Sequence, residues 1–129
     1  AIPTYEAGIA LGEHDEAKAD AIIEFASEKF SDNGGHLFEI AQYYATKCNY
    51  HKAIELYEKS WKAKENDKPR YTDALEAIAM IYNIICDKEK CLEAYDRILV
   101  CMKEEWNIQE DEKTYVDMIA ERNAIAKRK

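Results

Sequence analysis

The stretch QYYATKCNYHKAIELYEKSW (42–61) recurs 38 residues later as MIYNIICDKEKCLEAYDRIL (80–99). Few features constrain a chain more tightly, because a repeating unit of this length must bury its apolar face against its own neighbours. Tyr44 aligns with Tyr82, Cys48 with Cys86, Ala53 with Cys91, Tyr57 with Tyr95, and Trp61 with Leu99. Upstream, Leu37, Ile40 and Ala41 align with Leu75, Ile78 and Ala79. In the first half of each copy, apolar or small residues fall at offsets 0, 3, 4 and 7, and in the second half at 0, 4 and 8. Both are spacings of a single helix face. Each copy therefore predicts a helix, a short turn and a second helix.

These residues resemble the tetratricopeptide repeat (TPR) family. That family sets a small residue near the middle of its first helix and an aromatic three later. An alanine follows nine residues on, then an aromatic four after that. Here the positions hold Ala41, Tyr44, Ala53 and Tyr57, then Ala79, Tyr82, Cys91 and Tyr95. The likeness covers about residues 36–105. Cys91 departs from the usual alanine, Cys48 and Cys86 stand where the turn usually has glycine, and the period is longer than the family's usual one. The resemblance implies an all-α, TPR-like stack of about three antiparallel helical hairpins. It says nothing of function by itself, since such units scaffold many unrelated partners.

The rest of the chain is expected to fall in line as one domain, with a degenerate hairpin at 1–33, repeats at 36–64 and 68–105, and a C-terminal capping helix at 107–129. Residues 2–11 are apolar, and Gly12 to Ala17 carry the turn spacing of the later copies. A helix over about 15–30 follows, with Ala19, Ile22, Ile23, Ala26 and Phe30 on one face. Ser31, Asp32, Asn33, Gly34 and Gly35 predict a break. Helices are expected at about 36–47 and 50–64, then from the linker at 65–70 to about 85, and at 88–105. Asp67 has the character of an N-cap, with Pro69 in the first turn. Asn107 to Glu110 have capping-box spacing ahead of a last helix whose stripe is Tyr115, Met118, Ile119, Arg122 and Ile125. The count is seven helices, the last covering the apolar face that a stack of repeats leaves open at its end.

Charge and composition narrow the function classes. The net charge of −8 argues against a broad electrostatic grip on nucleic acid or an anionic membrane, and it tilts a partner toward neutral or basic surfaces. No run of 18 apolar residues and no signal-peptide pattern occur. Four cysteines in a helical, core-forming pattern read as reduced thiols and point to the cytoplasm.

No motif carries catalysis, so the expectation is a non-enzymatic protein without cofactor or metal. Cys48, Cys86, Cys91 and His51 gather near equivalent turns, but the sequence has no CxxC or HxxxH pair to build a tetrahedral zinc site. Ser27, Ser31 and Ser60 lack a nucleophile elbow. His14, His36 and His51 fall at turns or helix starts, as solvated groups do. Gly34-Gly35 has none of the phosphate-loop patterns. Lys62, Lys64, Lys68 and Arg70 are read as a solvated linker, and the basic end Lys127-Arg128-Lys129 suits a helix C-terminus.

The resemblance implies a concave face lined by the first helices, binding a protein or a peptide. Its groove positions fall on Phe38, Gln42, Ala45 and Thr46 in the first clear repeat, and on Glu76, Met80, Asn83 and Ile84 in the second. The Lys and Asn with which some TPR proteins grip a C-terminal carboxylate are replaced here by Phe38 and Gln42, then Glu76 and Met80, so that clamp is not expected. The leading expectation is a peptide-binding scaffold with no direct nucleic-acid or membrane contact, and self-association is compatible with it. The alternative is the effector-sensing or oligomerisation domain of a bacterial helix-turn-helix transcription regulator, whose TPR tails the segment 68–106 resembles. That alternative requires a DNA-binding domain upstream.

Overall fold

The computed structural model describes residues 15–29 and 32–128. Residues 1–14, Phe30, Ser31 and Lys129 lie outside that set, and with them the apolar stretch at 2–11 and the first half of the expected first turn. Six helices are found among the described residues: α1 (Glu16–Lys29), α2 (Gly34–Thr46), α3 (Tyr50–Ala63), α4 (Asp73–Ile84), α5 (Lys88–Glu104) and α6 (Lys113–Ala126). No strand occurs among these residues, so the all-helical expectation holds. The chain divides into two compact units, with the boundary between Ala63 and Lys64. In the first, α1 packs on α2 and α2 on α3; in the second, α4 packs on α5 and α5 on α6.

The first unit is built on the hairpin α2–α3. Leu37, Ile40 and Ala41 of α2 are buried, as are Ala53, Leu56 and Tyr57 of α3. Each large aliphatic side chain taken out of water contributes about 1.5–3 kcal/mol. Ala41 and Ala53, both fully buried, keep the helix surfaces low enough for close approach. The helix α1 buries Ala19, Ile23 and Ala26. It is tied to α2 by polar contacts as well: the Tyr43 hydroxyl donates to Asp20 Oδ1 at 2.7 Å, and Lys47 Nζ reaches Asp20 at 2.6 Å and Glu16 at 2.9 Å. Lys47 and Tyr43 hold the Asp20 carboxyl below its ordinary range, whereas burial and the Asp20 carboxylate push the Tyr43 hydroxyl up to about 12.

The second unit repeats the hairpin. Leu75, Ile78 and Ala79 of α4 face Cys91, Ala94 and Ile98 of α5 in the core. The last helix, α6, packs on α5 and buries Tyr115 and Ile125, with Met118, Ile119 and Arg122 half-buried between them. Arg122 Nε donates to Asp96 Oδ1 at 2.6 Å, so the expected stripe meets α5 with its one charge paired.

Three helix starts differ from the sequence expectations. Gly34 and Gly35 are not a break but the first turn of α2. Asn33 stands as N-cap, with its side chain accepting from His36 N at 3.0 Å, so one orphan amide of that end is met and the helix starts two residues early. The helix α4 begins at Asp73, with Thr72 as its N-cap, and Asp67 to Tyr71 remain linker. Asn107 caps nothing that follows. It sits at φ 54° just after α5, and α6 starts six residues later, at Lys113. An amide side chain beside a left-handed backbone serves an outgoing helix end as readily as an incoming one.

Candidate functional site

Both hairpins turn in the same way. After α2, Asn49 N donates to Tyr44 O at 2.9 Å and Cys48 N to Ala45 O at 2.9 Å. After α4, Asp87 N donates to Tyr82 O at 2.9 Å and Cys86 N to Asn83 O at 3.2 Å. Each is a Schellman turn, a left-handed residue whose neighbours satisfy the last helix carbonyls. That residue is Cys48 at φ 61° and Cys86 at φ 62°. The next residue, Asn49 or Asp87, then accepts from the first turn of the following helix. The cysteines at these positions are exposed free thiols, whereas Cys91 and Cys101 are buried free thiols. Burial pushes the Cys91 thiol up, and burial with the nearby Glu105 pushes the Cys101 thiol up to about 11. Among the described residues, no group of three or more His, Cys, Asp or Glu side chains is placed to hold a metal ion.

These turns fix the direction in which each first helix presents its remaining face. On α2, Phe38 is half-buried and its ring stands edge-on to Tyr57 of α3, with centroids 5.3 Å apart. Gln42 and Thr46 are exposed, and the Thr46 hydroxyl donates to the Gln42 carbonyl at 2.9 Å; Ala45 is half-buried. These four residues share a helix face.

On α4 the outcome is different. Glu76, Met80 and Asn83 line a cleft of about 260 Å³ together with Ala79, Tyr95 of α5 and Glu121 of α6. Met80 is 64% exposed, and Ile84, one turn further on, is also exposed but does not line the cleft. Asn83 Oδ1 accepts from Arg128 Nη1 at 2.7 Å, and the Arg128 carbonyl accepts from Lys88 Nζ at 2.6 Å. Glu76 Oε2 accepts from the Thr72 hydroxyl at 2.9 Å. Burial, with the carboxylates of Glu121 and Glu76, raises the Tyr95 hydroxyl above its ordinary value.

Three of the expected groove residues thus meet at one concavity, and three further lining residues come from positions the repeat pattern assigns elsewhere. Ala79 and Tyr95 were expected only in the core, but the cleft floor is the outer side of that core. Glu121 lies three residues after Met118 and four before Ile125, at the edge of the α6 stripe, which is the signal that places it beside α5.

Arg70 is a further correction. It is not a solvated linker residue. Its Nη2 donates to Glu105 Oε2 at 2.7 Å, while its Nε and backbone N–H donate to Oε1 at 3.1 and 3.0 Å. The two side chains are only 12% and 8% exposed. The Trp106 indole N–H and the Cys101 thiol both donate to the Arg70 carbonyl. The hydrogen bonds from the Arg70 side chain and backbone hold the Glu105 carboxyl down to about 2 against the opposing effect of its burial. The cluster ties the linker ahead of α4 to the end of α5 and so closes the open end of the second hairpin.

No described helix is long and apolar enough to cross a membrane. No protein-family model matches the chain, and no curated protein matches it either.

Proposed function

We propose that the chain is a non-enzymatic, TPR-like scaffold of the cytoplasm that binds a protein or peptide along the outer faces of its first helices. The observation that carries this reading is the cleft on α4. Met80 stands 64% exposed at its edge, beside Glu76 and Asn83. Ile84, one turn further along α4, is exposed as well, and adjoining apolar side chains left in water beside a concavity fit a docking surface. The repeated Schellman turns and the buried Ala41, Ala53, Ala79 and Cys91 support the likeness to stacked helical hairpins.

The test is a peptide selection against the full chain, read by NMR of methionine methyl groups. Selected peptides should move the Met80 resonance and leave that of Met102, which is 5% exposed, in place. Met80→Ala should weaken those peptides by roughly 1–2 kcal/mol with no change in melting temperature. If the selected peptides bind while the Met80 methyl stays fixed, docking at this face is refuted.

A further inference from the structure

The cleft of the second unit has a size and a charge that say more than that something docks there. Its volume of about 260 Å³ falls below the roughly 300–1,000 Å³ of pockets that enclose a drug-sized ligand, and it suits one side chain. Two of its lining residues are acids, Glu76 and Glu121, and none is basic. The remaining lining residues are Ala79, Met80 and Tyr95, which offer apolar surface, and Asn83, which offers an amide. Lysine and arginine have that same division, an aliphatic stem with a cationic head. We propose that the cleft receives one lysine or arginine side chain of a partner peptide, its stem lying on Ala79, Met80 and Tyr95 and its head between Glu76 and Glu121.

The proposal rests on the scaffold reading and names what the site recognises. Two further observations point the same way. Both acids line the same small cleft as Tyr95, whose hydroxyl is raised by burial and then by Glu121 and Glu76. The chain also sets a cation of its own at the rim: Arg128 Nη1 is bound by Asn83 Oδ1 at 2.7 Å, although Arg128 does not line the cleft. A carboxylate accepts several hydrogen bonds, so the Thr72 hydroxyl on Glu76 Oε2 leaves acceptor capacity for an incoming head group. The net charge of −8 favours the approach of a basic partner and adds to the local effect.

The experiment titrates short alanine-based peptides into the full chain with labelled methionine methyls. One series carries a single arginine or lysine, and the matched series carries citrulline, norleucine or glutamate at that place. The arginine and lysine peptides should move the Met80 methyl, and added salt should weaken them. The double variant Glu76→Gln, Glu121→Gln should bind them roughly tenfold less tightly with an unchanged melting temperature, because charge-assisted hydrogen bonds are lost. Arg128→Ala should tighten them by removing the resident cation. Equal binding of the citrulline or norleucine peptide overturns the cation assignment and leaves the scaffold reading standing. Unchanged binding in the double variant overturns it as well. If no peptide of either series moves Met80 but selected peptides do, the cation assignment alone falls; if selected peptides bind without moving Met80, both readings fall.

Discussion

The hairpins α2–α3 and α4–α5 share a turn and differ at the other end. Both turn through a left-handed cysteine followed by an Asx cap, and both bury the same register of small and aliphatic residues. The open ends are closed by different chemistry. In the first hairpin, the buried Ser60 hydroxyl donates to the Gly34 carbonyl at 2.7 Å, tying α3 to the start of α2. In the second, Ile98 holds the position of Ser60, and the end is closed by Arg70, Glu105 and Trp106 instead. The outer faces diverge too. Phe38 turns onto Tyr57, whereas Glu76, its repeat equivalent, opens onto a cleft. The lesson is that the repeated residues specify the turn and the helix interface, which need a fixed register. The flanking residues vary because a hairpin end can be satisfied in several ways.

The sharpest way to break the comparison is to remove one closure. Arg70→Met leaves the Glu105 carboxylate largely buried without its cation, which should cost about 3 kcal/mol in denaturant unfolding. Hydrogen exchange should show the loss in α4 to α6 and little change in α2 and α3. Equal loss in both units would mean that the closures are not local. The same pair predicts an acid dependence. The folded-state value of Glu105 is lowered to about 2 from 4.5, so its contribution is present above about pH 4.5 and is lost as pH falls toward 2. Glu105→Gln should therefore flatten that part of the stability profile relative to the wild type, and parallel profiles would contradict it.

A smaller effect tests what the hairpins share. Ala53→Leu should overpack the α2–α3 contact and cost roughly 1–3 kcal/mol, whereas Glu55→Leu on the exposed face of α3 should do little. Equal effects would reject the shared register. Ser60→Ala removes the hydroxyl donated to Gly34 and should cost about 1 kcal/mol. Ile98→Ser in the second hairpin should fail to recreate that bond, since the end there is already held by Arg70.

The smallest effect reverses sign. Cys48→Gly and Cys86→Gly should each stabilise by up to about 1 kcal/mol, because a side chain at positive φ crowds the backbone and glycine does not. Thermal melts of the two variants should show similar gains. A gain at one turn and a loss at the other would show that the turns are less alike than their hydrogen bonds.

Much of the hairpin architecture was legible in the residues. The offsets of Leu37, Ile40, Ala41 and Tyr44, and of their equivalents, predicted helices ending at about 47, 64, 85 and 105, and the helices end at Thr46, Ala63, Ile84 and Glu104. Helix starts were less legible. A cap is a local hydrogen bond among several near-equal candidates, as Asn33, Thr72 and Asn107 show. The surroundings of the expected groove residues were not legible. Phe38 and Glu76 occupy equivalent positions, and nothing in the local pattern says that one meets Tyr57 while the other meets open space.

The sequence by itself determined the all-helical class and the two like hairpins, because these follow from periodicity along one helix at a time. Only the tertiary structure decided that Arg70 is a clasp and that Glu76, Met80 and Asn83 share a cleft with Tyr95 and Glu121. Those facts depend on contacts between residues dozens of positions apart, and a carboxylate 35 residues from its arginine leaves no periodic trace in the chain.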